Sequence, residues 1–317
     1  MALILGIDTS NYTTSAAIYD TESNTVTQRK KLLPVKDGDC GIRQSDAVFH
    51  HVRQLPDVIS GLDFDGRLIS AVSVSSTPRE CEGSYMPCFL SGVATASGIA
   101  SVSNIPLYTF SHQQGHIAAA LFGCDCLNLT NNPFVAFHVS GGTTEALLVT
   151  PDEKSIITAE LIAKTNDLNA GQLVDRIGVY MRLSFPCGPE IEKLALTSSE
   201  NIRVKATLKG TNCCLSGFQN KITRIFDETQ DKAYTSLYVL KAISSTLIAM
   251  TEKIISERGN LPLVFAGGVM SNSIIKADII SRYPDAYFAP REFSADNAAG
   301  IALLGGLVYG RKTDNNE

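Results

Sequence analysis

The chain has 317 residues, of which 44% are hydrophobic and 19% charged, and its net charge is −5. That length makes one large or two medium domains with ample core. The acidic balance argues against a strong, self-sufficient nucleic-acid surface and leaves room only for a local patch. Eight cysteines include an adjacent pair (Cys213, Cys214) and a C-x-C (Cys124, Cys126), with no C-x-x-C and no regular framework. The N-terminus enters a strand-like run at once, without the basic region or cleavage site of a secretory signal. No apolar run reaches about 18 residues without polar interruption. These features lead us to expect a cytoplasmic protein with reduced thiols and no membrane association.

Leu3 to Ile7 is a buried-strand pattern, followed by Asp8-Thr-Ser-Asn-Tyr-Thr-Thr-Ser15 and a second strand, Ala16 to Tyr19. This reads as a hairpin whose turn is mostly small or hydroxyl-bearing. Asp46 to Leu62 has a helical pattern, Ile69 to Ser75 alternates as a strand, Gly92 to Ser101 reads as a helix and Pro106 to Phe110 as a strand. Ser111-His-Gln-Gln-Gly-His116 runs into Ile117-Ala-Ala-Ala-Leu121, a good helix sequence. A second strand–turn–strand follows: Phe134 to Ser140, Gly141 to Glu145, Ala146 to Val149. It echoes the first hairpin, with Thr-Thr-x-Ala at Thr13 to Ala16 and again at Thr143 to Ala146, which points to a duplicated domain. Lys241 to Ile255 is amphipathic and helical. Leu261 to Ala266 is a buried strand leading through Gly267-Gly-Val-Met-Ser-Asn272 into a helix. The tail from Ser294 to Leu304 reads as a helix with Ser294 or Asp296 near its start, and Thr313 to Glu317 reads as disordered.

The spacing of His112 and His116 carries the most chemistry. Residues four apart share a helix face, so both imidazoles can point at one ion; the alternative is a helix N-terminus whose histidines cap or pack. A zinc-protease helix would read His-Glu-x-x-His with the glutamate as general base, and here that position is Gln113, which cannot take a proton. Two ligands without a base point to a metal that holds a substrate rather than one that makes hydroxide. Two glycine-rich turns, Ser140-Gly-Gly-Thr and Ala266-Gly-Gly-Val, follow buried strands. Glycines there let backbone N–H groups approach an anion, although a tight strand end is the commoner cause of Gly-Gly.

Taken with Asp8, these turns form a set: two phosphate-facing hairpins and an adenosine-facing strand–turn–helix. The set resembles the superfamily of actin-like ATPases, sugar kinases and heat-shock ATPases. Nearly the whole chain further resembles the universal tRNA threonylcarbamoyladenosine transferases, once described as glycoproteases. The motifs that carry this resemblance are Leu5-Gly-Ile-Asp-Thr-Ser10, His51-Val-Arg53, His112-x-x-Gly-His116, Val139-Ser-Gly-Gly142 with Thr144-Glu145, Ala170-Gly171 and Asp175, Cys187-Gly-Pro-Glu-Ile-Glu192, Ser216-Gly217, Ala266-Gly-Gly-Val269 with Asn272, and Asp296-Asn-Ala-Ala299. The resemblance implies duplicated RNase-H-like α/β domains, the first formed by residues 1–109 with 295–317 and the second by 110–294. It also implies a divalent metal, iron or zinc, on His112, His116 and Asp296, completing a facial N,N,O set. An adenylate or ATP would be met by His138, Val139, Ser140, Gly141, Gly142, Asp175, Gly188 and Asn272, with Gly267 and Gly268 on the second glycine turn. The implied reaction moves a threonylcarbamoyl group from its adenylate to the N6 amine of the tRNA adenosine beside the anticodon. The implied partners are tRNA, subunits that supply positive surface, and a homologous family protein as a heterodimer partner.

This sequence departs from the family pattern at several turns. Asn11-Tyr12-Thr13 stands where the family usually has a Cys and two acidic residues. Thr77-Pro-Arg-Glu-Cys-Glu-Gly83 replaces a glycine-rich turn, Gly171-Gln-Leu-Val-Asp175 lacks an acidic residue at Gln172, and Gln219 stands where Lys is common. The alternatives are therefore a non-catalytic, nucleotide-binding regulatory paralogue, or carbamoyl transfer to another acceptor. A protease is disfavoured by Gln113. A small-molecule kinase could use Asp175 as base, but nothing nearby specifies a sugar.

Overall fold

A computed structural model describes residues 2–10, 12–34, 42–294 and 298–314. By contacts the chain divides into two compact units, one comprising Met1–Asn132, Thr150–Ala159 and Glu292–Glu317, the other Pro133–Val149 and Glu160–Arg291. In chain order the first unit begins with β1 (Leu3–Asp8), β2 (Thr13–Asp20), β3 (Thr25–Leu32), α1 (Gln44–Ser60), β4 (Ile69–Thr77), α2 (Phe89–Ser103), β5 (Leu107–Ser111) and α3 (His112–Gly123). There follow β6 (Phe134–Val139), β7 (Thr144–Asp152), β8 (Ile156–Lys164), α4 (Ala170–Tyr180), α5 (Gly188–Ala195), β9 (Leu208–Lys209), β10 (Asn212–Cys213), α6 (Ser216–Thr229), α7 (Lys232–Arg258), β11 (Leu263–Ala266), α8 (Ser273–Arg282), β12 (Tyr287–Phe288) and α9 (Ala299–Asp314).

The two main sheets have one topology. The first runs β3-β2-β1-β4-β5 and the second β8-β7-β6-β11-β12. In each, an antiparallel hairpin is followed by parallel neighbours. The Thr-Thr-x-Ala echo falls at matching registers, since Ala16 pairs with Ile7 and Ala146 with Phe137.

In the first unit every residue of β1 is buried. Because side chains alternate, Leu3, Leu5 and Ile7 join a core with Leu55 and Val58 of α1 and Ala96 of α2. The opposite face meets α9, where a Cβ on Gly6 would lie 2.6 Å from Ala302 N. Helix α3 packs on α9 through two glycines. A Cβ on Gly300 would sit 1.8 Å from the Gly115 carbonyl oxygen, and one on Gly115 would sit 2.8 Å from Ile301. This close backbone approach is why 110–132 groups with the first unit and not with the second, where the sequence reading puts it.

The C-terminal helix also differs from expectation. Ser294 precedes it, Arg291–Phe293 form a single 3-10 turn, and α9 runs from Ala299 through Thr313 to Asp314. Residues 315–317, expected to be disordered, lie outside the described residues.

The second unit has its own core. Val135, Phe137 and Phe265 of the sheet pack with Leu173 and Ile177 of α4 and Val239, Ile243 and Met250 of α7. The rings of Phe137, Phe265 and Phe288 stack across neighbouring strands at 4.7 and 5.1 Å. Helix α7 is long and apolar enough to cross a membrane by length and composition, although Lys241, Ser244 and Thr251 interrupt its apolar run as the sequence reading has it. Its most apolar stretch is 67% buried within the protein, as a central core helix requires.

Candidate functional site

In the first unit, the end of β1 and the start of α3 meet. Asp8 is 1% exposed. Its Oδ1 accepts from Ser10 N at 2.8 Å and from Ser75 Oγ at 2.9 Å. Its Oδ2 lies 2.6 Å from His112 Nδ1. A carboxylate only accepts, so the proton of that pair belongs on His112 Nδ1. His112 therefore turns its Nε2 toward His116, whose own Nε2 stands 2.9 Å away. The i, i+4 spacing thus does bring both rings to one face, with centroids 4.4 Å apart.

Helix α3 is fixed by local chemistry. Ser111 is its N-cap: Ser111 Oγ accepts from Gln114 N at 3.2 Å, and Ser111 N donates to Gln114 Oε1 at 2.7 Å, a capping box. Gln114 Nε2 donates on to Glu80 Oε2 at 3.1 Å and to the Ile157 carbonyl at 2.7 Å. Burial, reinforced by Asp152, raises the Glu80 carboxyl above its ordinary range. Gln113 N donates to the Pro78 carbonyl at 3.1 Å. The divergent turn from Thr77 to Gly83 therefore closes part of the α3 N-terminus with its own backbone. The loop after β1 is held by Thr9, whose Oγ1 donates to the Cys88 carbonyl and accepts from Gly92 N.

Asp296, the third expected ligand, lies outside the described residues. Among those described, no group of three or more His, Cys, Asp or Glu side chains is gathered as a metal would need. The Asp8–His112 pair was missed by sequence reasoning. Its partners lie 104 residues apart, and no local spacing signals the contact.

In the second unit a cavity of about 480 Å³ is lined by Gly141, Asp175, Gly188, Gly268 and Asn272, all named from sequence as site residues, by Glu192, which entered only as part of a motif, and by Arg291, which was not named. Three helices start at it. Gly171 is the second residue of α4, Gly188 the first of α5, and Asn272 is the N-cap of α8, its Oδ1 accepting from Ile274 N and Ile275 N at 3.1 Å. Gly171 must be glycine, since a Cβ there would lie 2.7 Å from Gly141 Cα. Asp175 Oδ1 accepts from Cys187 N at 2.9 Å. Glu192 Oε1 accepts from Ser273 N at 2.7 Å and from its hydroxyl at 2.5 Å. Glu192 follows Gly188 by four, so the helical period could have placed it on the cavity side. Arg291 carries no comparable signal.

The remaining residues named from sequence stand elsewhere. His138 and Val139 are the last residues of β6, and Val139 is fully buried. Ser140 Oγ accepts from Gly142 N and Thr143 N at 3.3 and 3.1 Å, so the turn satisfies two of its own amides. Gly267 has a positive φ of 105°, and a Cβ there would be 2.3 Å from the Val139 carbonyl oxygen. Its role is the close approach to β6. Gly268, open to the cavity, is the glycine that can meet a ligand.

A family profile described as tRNA N6-adenosine threonylcarbamoyltransferase matches residues 23–303. A protein of that name from Thermosipho africanus is 30% identical, over 97% of this chain and 94% of its own length. One from Ligilactobacillus salivarius is 29% identical, over 85% and 80% respectively. A probable bifunctional tRNA threonylcarbamoyladenosine biosynthesis protein from Methanothermobacter thermautotrophicus is 27% identical over 97% of this chain, which spans 56% of it. Among solved structures, full-length HypF in its phosphate- and nucleotide-bound form superposes with a TM-score of 0.61 at 14% identity, over 98% of this chain and 46% of that one. A ROK family glucokinase from Streptomyces griseus, in complex with glucose and AMPPNP, gives 0.53 at 10% identity, over 98% and 100%. The fold is thus the duplicated α/β fold shared by actin-like ATPases and sugar kinases.

Proposed function

Because the chain belongs to the tRNA N6-adenosine threonylcarbamoyltransferase family, we propose that it transfers a threonylcarbamoyl group from threonylcarbamoyl-adenylate to the N6 amine of the tRNA adenosine beside the anticodon. The amine forms a C–N bond to the carbamoyl carbon, the bond from that carbon to the phosphate oxygen breaks, AMP leaves and the amine proton is released. The observation that carries this reading is the facing pair His112 and His116, held by Asp8 at the start of α3. A scaffold has no need of such a pair.

The pair fits a divalent ion. Asp8 holds the Nδ1 proton of His112, the usual outer partner of a metal-bound histidine, and both Nε2 atoms meet at one point. That contact is a hydrogen bond only while one Nε2 carries a proton, and an ion taking both lone pairs would replace it. His112, His116 and Asp296 would hold the ion, and an N,N,O set suits zinc or iron better than calcium. Bound there, it would fix and polarise substrate oxygens. The chain's own contribution is positioning: the cavity of the second unit takes the adenylate, Asp175 and Glu192 accept from hydroxyl groups, and the amides of Gly141, Gly188 and Gly268 face its phosphate.

A regulatory, nucleotide-binding paralogue, or transfer to another acceptor, is the second reading. It is favoured by positions 12 and 13, where an exposed tyrosine and a buried threonine carry no carboxylate, and by the Pro78 contact to α3. On either reading tRNA is met with the help of partner subunits, a homologous family protein among them. Arg29, Lys30 and Lys31 do lie together on β3, an exposed edge strand, but Lys31 faces Asp57 at 3.7 Å.

Unmodified tRNA, threonylcarbamoyl-adenylate and zinc or iron, incubated with the full chain and candidate partners, should yield threonylcarbamoyladenosine on nucleoside digestion and mass spectrometry. AMP release without the modified nucleoside would point to another acceptor. Nucleotide binding without any AMP release would leave the regulatory reading standing.

A further inference from the structure

We propose that Arg291 reads the phosphate of the adenine nucleotide in the second unit's cavity and so sets the preference of that site for nucleotide over nucleoside. The proposal rests on the nucleotide reading of the cavity given above and adds a residue that reading does not contain. Among the described residues lining the cavity, Arg291 is the one cation, and Asp175 and Glu192 are the carboxylates. Both carboxylates are committed on one oxygen, Asp175 to Cys187 N and Glu192 to Ser273. Their remaining oxygens suit hydroxyl donors and repel a phosphate. A nucleotide in this cavity therefore offers its sugar hydroxyls to the free carboxylate oxygens and leaves its phosphate to the donors.

The cationic side chain and the open amides define where that phosphate goes. A Cβ on Gly141, Gly188 or Gly268 would meet nothing within 4 Å, so a ligand can come to the backbone at each. Gly188 opens α5, and the N-terminal amides of a helix favour anions. Arg291 follows Pro290, which fixes the local backbone, and Ala289 N is tied to the Phe265 carbonyl at 2.9 Å. The arginine is thereby anchored to the end of β11, and its guanidinium makes no ion pair with any described residue. A fork of N–H donors without an ion-pair partner among the described residues, at a cavity with exposed amides, matches a phosphate geometrically. The volume of about 480 Å³ accommodates a mononucleotide.

Calorimetry of the full chain with adenosine, AMP and ADP, for wild type, Arg291→Ala and Arg291→Lys, tests this. Wild type should bind AMP and ADP more tightly than adenosine. In Arg291→Ala the AMP and ADP affinities should fall about tenfold, as loss of one charge-assisted contact implies, while adenosine affinity stays within about twofold. Arg291→Lys should recover part of the loss. Equal changes for adenosine and AMP, or no change for either, would overturn the role of Arg291 while leaving the nucleotide site standing. Failure of wild type to bind any of the three would remove the site and this proposal together. AMP binding unchanged in Arg291→Ala, with only the KM for tRNA raised, would assign the guanidinium to the RNA backbone and overturn the proposal equally.

Discussion

His51 shows how a single buried ring can govern pH dependence. It is wholly buried on α1. Thr14 Oγ1 donates to Gln54 Oε1 at 2.7 Å, so the same oxygen accepts from His51 Nδ1 at 2.8 Å, and Nε2 has no partner among the described residues. Burial pushes the imidazole down to about 4; the Asp8 charge works against that shift and His50 adds to it. The folded value thus lies below the unfolded 6.5, so the neutral ring favours folding above pH 6.5. That contribution is lost as pH falls from there through about 4, by roughly 3 kcal/mol at 1.36 kcal/mol per unit. Denaturant titrations between pH 7 and 4 should show this slope in wild type and a shallower one in His51→Gln; equal slopes would assign acid sensitivity to other groups. Asp8 makes a second case. Asp8→Ala frees the Nδ1 end of His112, and zinc affinity should fall about 10- to 100-fold, the usual effect of losing such a partner. Competition with a chromophoric chelator measures it, and an unchanged affinity would mean that His112 needs no orienting group. The sequence disclosed the histidines because a helix repeats every 3.6 residues. It could not disclose Asp8 as their partner, because long-range pairing leaves no periodic trace.

At the level of elements, legibility followed burial. Strands β1, β4, β6 and β11 carry apolar runs and were readable as strands. Strand β3 is an exposed edge of sequence TVTQRKKL, with almost no apolar alternation to betray it. Helices α4 and α5 are short, and their starts are fixed in part by contacts distant in sequence, Asn169 Nδ2 donating to the Gly142 carbonyl and Cys187 N donating to Asp175 Oδ1. The glycine packing of α3 on α9 was likewise invisible, since glycines inside helices read as weak helix signals and not as packing sites. It has a sharp consequence. Gly300→Val places a side chain where the Gly115 carbonyl already stands at 1.8 Å from the first added carbon. The backbones must separate, and a loss of about 3 kcal/mol or more is expected. Urea unfolding would register it, and a loss below about 1 kcal/mol would show that α9 shifts freely. Because α3 carries both histidines, metal affinity should fall in the same variant.

At the scale of the whole molecule, the duplicated topology was announced by one short echo. Thr-Thr-x-Ala falls at the start of β2 and across the turn into β7, where Ala16 pairs with Ile7 of β1 and Ala146 with Phe137 of β6. Ala16 and Ala146, the last residues of the two copies, are both fully buried. Each copy retains its own core, and the candidate groups are divided between them: imidazoles and Asp8 in the first unit, the lined cavity in the second. A ligand that binds only the folded form stabilises what it touches by about 2.7 kcal/mol at 100 times its Kd. Zinc or iron should therefore slow hydrogen exchange in α3 and at the end of β1. AMP should slow it at the amides around Gly141, Gly188 and Gly268. Exchange measured by mass spectrometry on the full chain, with each ligand alone, separates the two responses. In His112→Ala the metal response should vanish while the AMP response persists, and in Gly268→Leu the reverse should hold, because neither substitution reaches the other unit's core. Protection of α3 by AMP in the absence of metal, with none around Gly268, would place the nucleotide in the first unit and undo the assignment of the cavity.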